Sequence, residues 1–178
     1  DWIIVTKRIG NAALMLPPDW PQAFPHVILC ITVVNQAEAD RDVPKLLMTP
    51  AAKRGISAEP LLGPIDFTRI DHDGDVLNAL SAKPGMIPHF SPRARTRLDW
   101  IIVGGESGPG ARPMVLGWAK DIVRQCRAAE VPVFVKQMGA RPTNREGERC
   151  HHIKHPKGAD MAEWPQELQV QETPWRTL

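Results

Sequence analysis

Five short apolar runs punctuate the chain: DWIIVTKR from residue 1, HVILCITVVN from 26, KRGISAEPL from 53, LDWIIVGGES from 98 and VPVFVKQMG from 131. Four of them are rich in Val and Ile and none alternates strictly, the pattern of strands covered on both faces, and this predicts parallel strands. Helical periodicity falls between them. In WAKDIVRQCRAAE, Trp118, Ile122, Val123, Cys126 and Ala129 share one face while Lys120, Arg124 and Arg127 share the other, which predicts a helix packed on a sheet. The segment QAEADRDVPKLLMTPAAKR predicts two short helical pieces, with Pro44 in the first turn of the second. In residues 9–25, NAALML is compatible with a helix, whereas PPDWPQAFP must be extended or turning.

Residues 66–97, which hold DHDGD and KPGMIPHFSPRAR, have little periodicity and read as a loop-rich, mobile insertion. The expected organisation is one α/β domain over residues 1–140 and a C-terminal tail over 141–178. Strand and helix alternate as in a doubly wound sheet or part of a (β/α) barrel, with right-handed crossovers. Five repeats are too few for an eight-stranded barrel. DWIIV opens the chain with no lead-in, so it reads as an internal strand whose N-terminal neighbours are missing. The same five letters return at 99–103, but TKRIGNAALML and GGESGPGARPM, which follow the two copies, share nothing, so convergent strand chemistry explains the echo better than duplication.

With 178 residues, 43% hydrophobic and 24% charged, the chain is long enough to enclose a core and is not of disordered composition. No apolar run is long enough to span a bilayer, and a cytoplasmic location is expected. Cys30, Cys126 and Cys150 are odd in number and scattered, giving neither a disulfide framework nor a CxxC spacing. A formal charge of +2 leaves nucleic-acid binding possible but unsupported.

Ligands of α/β sheets and barrels bind beyond the carboxyl ends of the strands, so the residues closing each apolar run carry the functional reading. They are Thr6, Lys7 and Arg8; Asn35; Glu59; Gly104, Gly105, Glu106 and Ser107; and Lys136 and Gln137. Thr6 and Asn35 read as ordinary strand exits. Glu59 lies among Ile56, Ala58, Pro60, Leu61 and Leu62 and needs a partner, for which Lys136 and a ligand are equally good candidates. In GGESGPGARP, glycines 104, 105, 108 and 110 let the backbone approach an anion, to which Arg112 can add a fork of donors. The stretch matches neither a Walker loop nor GxGxxG, and a tight turn is the simpler reading. Cys150, His151, His152 and His155 in CHHIKHP match no zinc spacing, so no metal site is expected. Basic residues from Arg141 to Lys157, followed by Asp160, Glu163, Glu167 and Glu172, read as a solvated tail.

The order TKR, then ITVVNQAEADRDVPKLLMTPAAKRGISAEPLLGPID, then LDWIIVGGESGPGARPMVLGWAKDIVRQCRAAEVPVFVKQMG resembles the phage protein family gp thirty-seven / gp sixty-eight, a radical-SAM-like group. EPLLGPI and GGESGPGARPM carry the resemblance over residues 1–139, and GADMAEWPQELQVQETPW is similar to the end of some members. The resemblance implies a partial (β/α) barrel of the radical SAM type. In such barrels, three cysteines after the first strand hold a [4Fe–4S] cluster whose fourth iron takes S-adenosylmethionine. The cysteine loop is absent here, so the implied cofactors depend on a segment other than this chain.

By the same resemblance, Glu59 and Lys136 are the candidate catalytic residues. Lys7, Gly104, Gly105, Glu106, Ser107 and Arg112 are the candidate cofactor contacts at the barrel mouth. GGE at 104–106 resembles the GGE that meets the methionine amino group in radical SAM enzymes, where it follows an early strand. The expected function is that of the C-terminal part of such a protein, of undefined substrate and inactive alone. The alternatives are a non-catalytic binding or assembly module and an anion-binding α/β enzyme using GGESGPGARP as a phosphate cradle. The bare first strand implies a second copy or a separate N-terminal chain as the cover for its edge.

Overall fold

The computed structural model of the chain describes residues 1–81 and 97–175. All five apolar runs are strands: β1 (Trp2–Thr6), β2 (Val27–Thr32), β3 (Lys53–Ala58), β6 (Trp100–Gly104) and β8 (Val133–Gln137). They form one sheet in the order β1-β2-β3-β6-β8, every pair parallel. Spatial order follows chain order, so there is no reversal of the kind that marks a doubly wound sheet. Among the described residues β1 and β8 do not pair with each other, and the sheet is open.

Alternation along the strands sends side chains to two different environments. Leu29, Ile31, Ile56, Ile101, Val103, Val133 and Val135 belong to the main core, together with Ala39, Val43, Leu46 and Leu47 of α2 (Gln36–Met48) and Ala119, Ile122, Val123 and Cys126 of α3 (Leu116–Ala128). Ile9, Ala12 of the short α1 (Ala12–Met15) and Trp20, all from the β1–β2 connection, join the same core, so all these crossovers lie over one face. The opposite, inner face carries a smaller cluster of Ile28, Cys30 and Trp100 with Ile102, Phe134 and Trp175. Ser57 follows Gly55 on that face, in register with Ile102.

Where two helical pieces were expected, α2 is continuous through Pro44. The Asn35 side chain caps its start by accepting from the Glu38 amide at 3.0 Å. A proline inside a helix costs roughly 3 kcal/mol. Burial of Val43, Leu46 and Leu47 on both sides of Pro44 offsets that, because a break would turn one group away from the sheet. The DHDGD stretch is the turn of a hairpin, β4 (Ile70–His72) and β5 (Asp75–Leu77), with Asp73 and Gly74 at positive φ. Ile70 and Leu77 anchor it in the core. The mobility expected for KPGMIPHFSPRAR falls on residues 83–95, outside the described residues.

The solvated tail is corrected by the structure. β9 (Pro142–Thr143) pairs with β7 (Met114–Val115), and Ile153, Trp164, Leu168 and Val170 are buried in the main core. The Val135 amide donates to Val170 O at 2.9 Å and the Glu172 amide to Val133 O at 3.0 Å, with an antiparallel bridge from Phe134 to Gln171. The chain's own residues 170–172 therefore occupy the outer edge of β8 in the wrong direction for a further parallel strand. At the other edge, Trp2 is 69% and Val5 51% exposed, so among the described residues nothing covers β1. Among the described residues no helix is long and apolar enough to cross a membrane.

Candidate functional site

Because the five strands run the same way, their last residues share one end of the sheet, and the inner face changes character toward that end. Its lower part is closed: Trp175 packs on Trp100 at 6.3 Å between ring centroids, Lys53 Nζ sits 4.8 Å over the Trp175 ring, and Trp100 Nε1 donates to Glu172 O at 2.9 Å. Above this plug the face becomes polar, through Thr32 and Ser57 to Glu59 and Lys136.

Lys136 Nζ stands 3.3 Å from Glu59 Oε1, and the Ser57 hydroxyl donates to Glu59 Oε2 at 3.4 Å. Ser57 and Glu59 are two residues apart along the β3 direction and so face the same way, while Lys136 follows Phe134 by two on β8. Gly104 at the end of β6 leaves the space between them, because a Cβ there would stand 2.5 Å from Glu59 Oε1. The Glu59 side chain is 17% exposed and that of Lys136 is 56% exposed, so the pair opens on one side to solvent. A pair so exposed stabilises a fold by about 1 kcal/mol or less. It offers a ligand one carboxylate and one ammonium side by side.

The other candidate residues divide. Glu106 is held by Arg112 through three bonds: Nε to Oε2 at 2.8 Å, Nη2 to Oε1 at 2.9 Å and the Arg112 amide to Oε2 at 2.8 Å. These bonds hold the Glu106 carboxyl down at about 2. The Arg112 fork expected to meet an anion is thus turned inward on Glu106 and shapes the loop. Gly105 fits against Met138 and Gly139 so closely that a Cβ would collide with the Met138 carbonyl. Ser107 is exposed on the loop, and Lys7 is exposed at the end of β1, two strands away from Glu59. Thr6 and Asn35 serve local structure: Thr6 Oγ1 accepts from the Arg8 amide at 3.0 Å, and Asn35 is the α2 cap.

Sequence reasoning overlooked Ser57, whose signal was its i, i+2 spacing from Glu59. It also overlooked the nearness of residues 140–149 to the GGESGPGARP loop. The Ala140 amide donates to Glu106 O at 2.8 Å and the Met114 amide to Arg141 O at 3.1 Å, which draws the two segments together.

The cysteines do not suit an iron–sulfur cluster. Cys30 is buried on the inner face of β2, Cys126 on α3 in the opposite core, and Cys150 follows β9. Burial pushes the Cys30 and Cys126 thiols up to about 12, away from the thiolate that iron ligation needs. Among the described residues no three His, Cys, Asp or Glu side chains form a metal-holding group.

A family model described as Protein of unknown function (DUF5131) matches residues 1–168. No curated protein matches the chain. No solved structure matches it either.

Proposed function

We propose, for a chain that belongs to the DUF5131 family, that it is the ligand-binding part of a radical-SAM-like (β/α) barrel protein, related to the phage group gp thirty-seven / gp sixty-eight, with its inner face as half of the barrel lumen. The observation that carries this reading is the Ser57–Glu59–Lys136 group at the carboxyl end of a sequentially ordered parallel sheet, above a face plugged by Trp175. Barrel enzymes build their sites at this end.

S-adenosylmethionine, the cofactor of that group, carries an α-ammonium and an α-carboxylate. Glu59 would accept from the ammonium, Lys136 would donate to the carboxylate, and Ser57 would orient Glu59. Held there beside a reduced cluster, the cofactor would supply a carbon-centred radical, one electron from the cluster breaking a sulfonium C–S bond and releasing methionine. The cysteines of this chain do not fit the cluster, so the chain's share is binding and orientation, and it is inactive alone. The uncovered β1 edge is where a further parallel strand, from a separate N-terminal segment or a second copy, would extend the sheet.

Calorimetric titration with S-adenosylmethionine tests this. Saturable binding is expected, weakened roughly tenfold by Glu59→Gln or by Lys136→Met, with melting temperature nearly unchanged. Absence of binding, or binding by both variants as tight as that of the parent chain, would contradict the reading.

A further inference from the structure

On the same end of the molecule, a second cavity of about 540 Å³ lies between the loop that follows β6 and the turn that follows β8. Gly108, Gly110, Arg141, Gly147 and Arg149 line it, and no carboxylate is among its lining residues. Two of the neighbouring acids, Glu106 and Glu148, are engaged elsewhere. Glu106 is chelated by Arg112, and Glu148 Oε2 accepts from Asn144 Nδ2 at 2.9 Å while its amide donates to Asn144 Oδ1 at 2.8 Å. Arg141 is exposed and, among the described residues, has no acidic side chain within ion-pair distance. Arg149 donates from Nη2 to Ala140 O at 3.4 Å, a long bond that leaves most of its fork unused.

The backbone holding these arginines is fixed before any ligand arrives. Thr143 bridges Arg149, the Cys150 amide donates to Pro142 O at 3.0 Å, and Met114 ties down the Arg141 carbonyl. Across the cleft, Gly108 and Gly110 have φ of +97° and +74°, with open space where a Cβ would stand. A wall of bare peptide opposite two unneutralised guanidinium groups is suited to a compact oxyanion.

We propose that this cleft binds the phosphate of a nucleotide-sized ligand. The volume suits a small molecule rather than a polymer. Among the described residues, several of the other basic side chains are paired, Arg41 and Lys45 with Asp42, Lys120 with Glu167, and Arg124 and Arg145 with Asp121, which disfavours an extended track for a polynucleotide. The inference is independent of the Glu59–Lys136 reading, and its test separates the two.

The full chain is titrated calorimetrically with pyrophosphate, adenosine monophosphate and adenosine. Both phosphate-bearing probes are expected to bind saturably, adenosine far more weakly. Arg141→Gln/Arg149→Gln is expected to lose roughly tenfold or more in affinity with an unchanged circular-dichroism spectrum, and Glu59→Gln to bind like the parent. Three results overturn the proposal: no saturable binding of either phosphate probe, equal affinity in the double variant, or adenosine binding as well as its monophosphate. A single-stranded oligonucleotide that binds more tightly than the monophosphate, and is indifferent to the double substitution, overturns it in favour of a diffuse polyanion surface.

Discussion

A methyl group at position 104 would occupy the place of the Glu59 carboxylate, and one at 105 would meet the Met138 carbonyl, so adjacent glycines are required for different reasons. The first keeps the charged pair in contact; the second keeps the β6 and β8 exits together. Glu106 makes the electrostatics of the same loop testable. Its carboxyl is lowered from 4.5 to about 2, first by the side-chain bonds from Arg112 and then by the Arg112 amide. A carboxyl with a depressed folded value contributes stability that is present above its unfolded value and lost as pH falls through the folded one. The clamp is therefore expected to persist at pH 4 and to open only as the solution approaches about 2. The Glu106 side-chain carboxyl signal, followed by NMR against pH, checks this, and a midpoint near 4.5 would show that the clamp does not form in solution.

At the scale of elements, strands were the legible part: five short apolar runs became five parallel strands, with β2, β3 and β6 buried on both faces as their lack of alternation implies, whereas β1 is exposed along its length. The Glu59–Lys136 contact was one of two readings open from the apolar surroundings of Glu59, and the structure shows the pair formed. Residues 141–175 were illegible for a physical reason. Their buried side chains, Ile153, Trp164, Leu168 and Val170, are spaced by turns and 3-10 segments rather than by a helical or strand period, so charge dominates the local pattern. Trp164 is 4% exposed, and its Nε1 donates to Gly158 O at 2.9 Å. Trp164→Ala is expected to cost roughly 3–5 kcal/mol, measured by urea denaturation. A loss within ~0.5 kcal/mol would return this segment to the status of a solvated appendage. The pairing of Arg112 with Glu106 was illegible for the opposite reason: the acidic partner lies six residues back on the same loop, a proximity that only the fold of that loop reveals.

At the scale of the molecule, one sheet separates two chemistries. Its outer face is sealed by the crossovers and by the C-terminal segment. Its inner face is plugged by Trp175 at one end and open at the other, around Ser57, Glu59 and Lys136. The two edges are also unlike, since residues 170–172 run antiparallel along β8 whereas β1 is bare, so any extension of the parallel order falls to the β1 side. Isoleucines report on the two faces separately: Ile102 lies on the inner face in register with Ser57, while Ile56, Ile101 and Ile122 lie in the outer core. Methyl NMR of isoleucine-labelled protein during titration with S-adenosylmethionine is the most direct test of a ligand site on the inner face. The Ile102 signal is expected to shift while those of Ile56, Ile101 and Ile122 stay in place. Shifts confined to the outer-core isoleucines, or no shift at Ile102 at saturation, would contradict the account.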